Sequence, residues 1–166
     1  MLEKLTVSTP GDREIVITRT FDAPRAMVWE AMSKPELLKR WLTGPPGWSW
    51  VSYEDDPRPG GTFRWVWRSP DGAEMTLHGV YEHVQPPERV SRTEVFDFGG
   101  TPVGEQHATL VLAEQNERTS LTLTLLYSSK EARDAALASG VERGLAAGYD
   151  QLDVLLAGQS AANSGG

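Results

Sequence analysis

At 166 residues the chain has the length of one ordinary domain, able to bury a core without disulfides or metal. Its 39% hydrophobic and 23% charged content is that of a globular protein, and its zero cysteines exclude disulfides, thiolate chemistry and cysteine-based zinc sites. A net charge of -7 without any Lys/Arg cluster repels phosphate backbones and anionic bilayers, so neither nucleic acid nor a membrane surface is expected as a partner.

The opening "MLEKLTVSTPGDREIVI" lacks the apolar segment and cleavage site of a secretory signal, and no apolar run approaches the roughly 18 residues of a membrane span, so a cytoplasmic location is expected. "REIVITRTF" (13–21) is β-branched and alternating, and reads as a strand. The period then changes. In "DAPRAMVWEAM", Asp22 is placed as a helix cap and Pro24 near the first helical position, with Met27, Val28, Ala31 and Met32 at helical spacing. "KPELLKRWL" predicts a second short helix from Pro35, with Leu37, Leu38, Trp41 and Leu42 as its apolar stripe, before "TGPPG" ends it. Trp29 and Trp41 read as core anchors of these helices.

Residues 48–127 are short runs broken by "DDPRPGG", "SPDGA", "QPPE", "GGTPV" and "QNE", which predicts six consecutive strands in an antiparallel meander. Residues 129–157 return to helical spacing. Ser128 and Glu131 have the form of a capping box, and Leu137, Val141, Leu145, Leu152, Leu155 and Leu156 form a stripe, predicting one helix of about 40 Å. A single domain over 1–158 is expected, with a small, polar and disordered tail at 159–166. The expected fold is α+β, in the order β-α-α-β6-α, with a seven-stranded antiparallel sheet covered on one face by the C-terminal helix.

In "GGTFRWVWRSPDG" the alternation puts Phe63, Trp65 and Trp67 on one face, with Arg64 and Arg68 on the other. An even-numbered turn around Pro70, Asp71 and Gly72 would set Trp65 opposite His78 and bring His78 onto the ring face. Carried through a five-residue "QPPER" loop, that register pairs Val84 with Val90, Glu82 with Arg92, Val80 with Glu94 and His78 with Phe96. The helix-facing side then holds Phe63, Trp65, Trp67, His78 and Phe96 together with Glu82, Arg92 and Glu94. Charged groups among rings must be paired or must meet water or a ligand; a Glu82–Arg92 cross-strand pair is the structural solution. Gly140, Gly144 and Gly148 recur every four residues along the long helix, although each costs about 1 kcal/mol relative to alanine. Close helix approach, a homodimer contact or space for a ligand above the sheet would each account for them.

"IVITRTFDAPRAMVWEAMSKPELLKRWL", "DPRPGGTFRW", "SPDGAEMTLHGVYEHVQPPERV", "RTEVFD" and "ASGVERGLAAGYDQLDVLLA" together resemble the activator of Hsp90 ATPase homologue-like branch of the START/SRPBCC superfamily, over roughly residues 13–158. The resemblance implies the helix-grip fold, a curved antiparallel sheet gripping a long C-terminal helix with a cavity between them. Its eukaryotic namesakes bind and activate the chaperone through a chain with a further N-terminal domain, so chaperone activation is not expected here. Related superfamily members bind lipids, sterols or aromatic polyketides, and some are cyclases or aromatases. This chain departs from the usual pattern at "RWLTGPPGW" and at Trp67, where a smaller residue is common, which should reshape the pocket.

His78, His83 and His107 show no metal spacing, the glycine turns lack a phosphate-loop context, and no serine sits in a nucleophile elbow, so neither a metal nor a cofactor is expected. The leading expectation is a binder of a small apolar or aromatic molecule, in a cavity lined by Phe63, Trp65, Trp67, His78, Phe96, Gly144 and Gly148. The enzyme alternative gives His78 and Glu94, about 5–8 Å apart between Cβ atoms, acid/base roles in the same cavity. Its structural counterpart has His78 bonded within the sheet layer and Glu94 paired with a basic neighbour. A third reading is a chaperone- or protein-interaction module with a solid core.

Overall fold

The computed structural model describes residues 5–164, with side chains through residue 159. In chain order it contains β1 (Thr6–Ser8), β2 (Glu14–Phe21), α1 (Arg25–Ser33), α2 (Pro35–Trp41), β3 (Ser49–Asp55), β4 (Thr62–Arg68), β5 (Glu74–Gln85), β6 (Arg89–Phe98), β7 (Thr101–Gln115), β8 (Arg118–Leu126), α3 (Lys130–Ala138) and α4 (Val141–Ser164). The strands make one eight-stranded antiparallel sheet in the order β1-β2-β8-β7-β6-β5-β4-β3. With helices after β2 and a long one at the C-terminal end, the fold is helix-grip-like. Among the described residues no helix is long and apolar enough to cross a membrane.

The strand beyond the expected seven is β1, whose Thr6, Val7 and Ser8 pair with Thr18, Ile17 and Val16. Three residues offer too little alternation to be read from sequence. In β2 the alternation is complete: Ile15, Ile17 and Phe21 are fully buried, opposite Leu125, Leu123 and Thr119 of β8. Arg19 occupies the same inner row. Its guanidinium reaches α4, 2.9 Å from Asp150 and 3.2 Å from Asp153, and ties that helix to the sheet.

Helix α1 begins one residue after Pro24, which stands at the N-cap in extended conformation. Asp22 lies too early to cap it and instead faces Arg118 at 3.8 Å. Lys34 ends α1 and caps α2, with Pro35 in the first helical position where its missing N–H costs nothing. The Trp41 indole anchors the pair by donating to the Ala31 carbonyl at 2.8 Å.

The single C-terminal helix expected from sequence is two. Gly140 adopts φ +91°, and its N–H closes on the Leu137 carbonyl at 3.2 Å, a left-handed stop that ends α3. The cap of α3 is Ser129, whose Oγ accepts from the Ala132 N–H at 3.0 Å, one residue later than the capping box at Ser128. Helix α4 runs to Ser164, into the 159–166 segment that the sequence marks as a small, polar tail. Residues 165–166 of that tail lie outside the described residues.

Candidate functional site

The inner face of β3, β4 and β5 is a layer of rings. Pairing sets Trp67 opposite Trp50 and Met75, Trp65 opposite Tyr53 and Leu77, and Phe63 opposite Asp55 and Gly79. Tyr53 stacks on Trp65 with centroids 5.6 Å apart, Trp50 lies 4.6 Å from Trp67, and Phe63 sits 5.3 Å from Trp65 and 5.4 Å from Tyr81. The end of α2 covers this layer. Trp67 donates its indole N–H to the Leu42 carbonyl at 3.3 Å, and the Lys39 ammonium stands 5.5 Å from the Tyr53 ring centre. Phe63, Trp65 and Trp67 are thus buried against other rings and α2.

Beside the rings lies a polar cluster built on β6. Arg92 and Glu94 both point inward, two apart on the same strand. The Arg92 guanidinium carbon rests 4.0 Å from the Phe63 ring centre and 4.7 Å from that of Trp65. Its Nη2 lies 2.8 Å from Glu94 Oε2, and its Nη1 donates to the Tyr81 hydroxyl at 3.3 Å. The other Glu94 oxygen accepts from Gln106 of β7 at 2.7 Å. Tyr81 in turn donates to Asp55 Oδ1 at 2.5 Å, and Tyr53 donates to Asp55 Oδ2 at 3.0 Å. Burial alone would lower the Arg92 guanidinium, but the Glu94 charge and Tyr81 outweigh it and hold it above its ordinary value. The pair is fixed by both hydrogen bonds and flat ring contact, which is how a charge survives away from water.

Burial raises the phenols of this region. Tyr53 and Tyr81 rise through desolvation, with Asp55 adding to it. Tyr127 is pushed up to about 12 by burial and then by the Glu94 charge, and Tyr149 of α4 rises for the same two reasons. Among the described residues, Trp50 Nε1, Trp65 Nε1 and the Tyr127 hydroxyl are buried without a hydrogen-bond partner. Phe96, Gln106, Leu110 and Leu123 turn inward by register yet remain partly exposed. Inward side chains that still touch solvent adjoin space that water can enter.

His78 is not in this group. The turn between β4 and β5 has five residues, with Arg68 opposite Glu74, so Arg64 and not Trp65 pairs with His78. An odd turn inverts the face. His78 leaves by the outer face and meets Asp97 at 3.0 Å, while Glu94 is paired with Arg92, so the two proposed acid/base partners stand on opposite sides of the sheet. Across β5 and β6, Leu77 and not His78 lies opposite Phe96. A bulge between Tyr81 and His83 then restores the expected Val84–Val90 pairing and sets Tyr81, not Glu82, opposite Arg92. Glu82 contacts His107 at 3.0 Å instead.

The glycine positions separate as well. Gly140 is the helix stop described above, Gly144 is exposed with nothing near the position of a Cβ, and at Gly148 a Cβ would lie 3.8 Å from the Trp41 ring. Only the last takes part in packing. Two shallow, open hollows lie on the surface of the described residues, one of about 520 Å³ between residues 10–14 and Lys130, the other of about 440 Å³ between Trp48, Pro70 and Phe98. Neither is lined by Phe63, Trp65, Trp67, Gly144 or Gly148. Among the described residues no three of His, Asp and Glu gather to hold a metal.

The family model described as activator of Hsp90 ATPase homolog 1-like protein matches residues 22–157. The chain belongs to that family, within the SRPBCC superfamily. Solved structures agree with the assignment. A Rhodobacter sphaeroides protein is similar at 32% identity and TM-score 0.85, over 93% of this chain and 99% of its own. Protein Ms6760 from Mycobacterium smegmatis is similar at 26% identity and TM-score 0.80, over 92% of this chain and 97% of its own. Protein NE0264 from Nitrosomonas europaea reaches 25% and 0.79, over 92% and 99%. Comparison with curated proteins finds no match.

In this member of the activator of Hsp90 ATPase homologue family, the sequence pattern located Phe63, Trp65, Trp67, Phe96, Arg92 and Glu94 on the inner face. It missed Tyr53, Asp55, Tyr81, Gln106 and Tyr127. Alternation within "WSWVSYED" places Tyr53 and Asp55 on one face, a signal that was there to use. Tyr81 follows from the five-residue turn, which puts Leu77, Gly79 and Tyr81 on the inner face, and Tyr127 needs the approach of β8 to β6 across β7.

Proposed function

We propose that this protein binds a small apolar or aromatic molecule on the inner face of the sheet, where the ring layer ends and the Arg92–Glu94 cluster begins. The observation that carries the reading is the conjunction of inward-facing, partly exposed apolar side chains at Phe96, Leu110 and Leu123 with buried polar atoms lacking partners at Trp65 and Tyr127. Apolar walls around a few fixed polar groups are the usual make-up of small-molecule sites. The ring layer itself supports the site from behind, since its members fill one another's surfaces. With His78 on the outer face, the acid/base pair is no part of this reading.

Native mass spectrometry on protein purified without added ligand, followed by titration with the neutral dye Nile red, tests it. The expected result is a retained small molecule or saturable dye binding that Phe96→Trp weakens by filling the space. A bare protein mass together with non-saturable dye uptake would overturn the reading.

A further inference from the structure

Building on that binding reading, we propose that the molecule taken up is electrically neutral and carries a carbonyl oxygen, which accepts a hydrogen bond from Trp65 Nε1–H or the Tyr127 hydroxyl beside the Arg92–Glu94 pair. The hydrogen bonds already made define what is left over. Glu94 accepts from Arg92 on one oxygen and Gln106 on the other, and Asp55 accepts from Tyr81 and Tyr53. The carboxylates of the cluster are therefore served; of the buried donors lacking partners, Trp50 Nε1 belongs to the indole packed on Trp67, while the Trp65 indole and the Tyr127 phenol are the ones beside the ion pair. Each is 5% exposed, so neither recovers its bond from bulk water. A buried donor left unpaired costs about 1–3 kcal/mol, which an incoming oxygen would offset.

The two donors flank the ion pair. The Trp65 ring centre is 4.7 Å from the Arg92 guanidinium carbon; Tyr127 follows Leu126, the partner of His107, and so stands beside Gln106, the residue opposite Glu94. Burial and the Glu94 charge keep the Tyr127 proton in place at neutral pH, so the phenol is available to donate.

Charge selects the carbonyl over the carboxylate. The cluster holds one guanidinium against the carboxylates of Glu94 and Asp55, while Lys39 is exposed and its charge screened by solvent. A ligand anion would add a further negative charge where the local dielectric is low and no cation stands free among these groups. A ketone, ester or amide oxygen makes the same bonds without that cost. Phe96, Leu110 and Leu123 supply the apolar surface for the rest of the molecule.

Isothermal titration of the full chain with three naphthalenes of similar shape tests the inference: methyl naphthyl ketone, isopropylnaphthalene and naphthoate. The ketone should bind about tenfold more tightly than isopropylnaphthalene, the margin of one good hydrogen bond, and naphthoate should bind more weakly than the ketone. Tyr127→Phe or Trp65→Phe should bring the ratio of ketone to isopropylnaphthalene affinity down to about one, whatever either change does to the absolute affinity of both probes. Tyr127→Phe keeps the ring and so preserves packing; circular dichroism checks the fold of both variants. Equal affinity for ketone and hydrocarbon, tighter binding of naphthoate, or a ketone margin untouched in both variants would overturn this inference and leave the binding reading standing. Absence of binding by all three probes would bring down both.

Discussion

The inner face of the sheet has two unlike halves. Over β2 and the facing part of β8 it is close-packed: Ile15, Ile17, Phe21 and Leu121 share one core with Leu152 and Leu156 of α4, all at 0–1% exposure, and the buried charge in that row, Arg19, is tied to Asp150 and Asp153. Over β3 to β7 the same face carries stacked rings, an ion pair, the raised phenols Tyr53 and Tyr81, and inward residues such as Phe96, Gln106 and Leu110 that still touch solvent, with the raised phenol of Tyr127 just past the end of β8. One sheet thus divides its labour. The half under α4 supplies stability through close packing, and the half toward the β3 edge spends packing quality on polar groups that a purely structural core would exclude.

Alkaline pH strikes the two halves most unequally. All four tyrosines of the chain are raised, chiefly by burial, and they sit on or beside the polar half. Because the folded state holds these protons more tightly than the unfolded state does, the stability they contribute is full below the ordinary phenol value of about 10 and is lost as pH climbs through about 12 and beyond. Denaturant midpoints should fall steadily above about pH 10, and tyrosinate absorbance should appear together with unfolding and not before it. Early absorbance in the folded protein would break the contrast.

Phe21→Ala strikes the sealed half. It should cost about 3–5 kcal/mol by chemical denaturation, because a fully buried ring leaves a cavity that close packing cannot collapse. Nile red affinity should remain unchanged in the folded fraction. Arg92→Met should have a somewhat smaller effect, about 3 kcal/mol, by stranding the Glu94 carboxylate among apolar groups with Gln106 as its remaining partner. Adding Glu94→Gln should restore most of that loss. A double-mutant cycle with no coupling energy would show that the pair is not the organising element of the polar half.

Legibility in the sequence follows the same division. Strand order, the two short helices and the inward rings of β4 came from alternation and helical spacing, which are local signals. Arg92 and Glu94 are set inward from sequence only by a register that assumes an even turn and pairs Glu82 with Arg92; the structure pairs Tyr81 with Arg92, and the two errors offset each other. His78 was misplaced because its face depends on the parity of a turn: five residues between Arg68 and Glu74 where an even number was assumed. The bulge between Tyr81 and His83 then cancelled the slip, so pairing near Val84 was right while pairing near His78 was wrong. Gly140 was read as a member of a stripe although its φ makes it a terminator. Tyr127 and Glu94 meet across β7, a proximity that no spacing along the chain encodes.

Gly79 sits opposite Phe63 in the middle of β5, and a Cβ there would collide with the Thr93 carbonyl oxygen and press on the Phe63 ring. The bare backbone at that point is what lets Phe63 settle under Arg92. Any descendant of this chain that keeps its cation-on-ring seat inherits a locked codon at position 79, while its surface is free to drift.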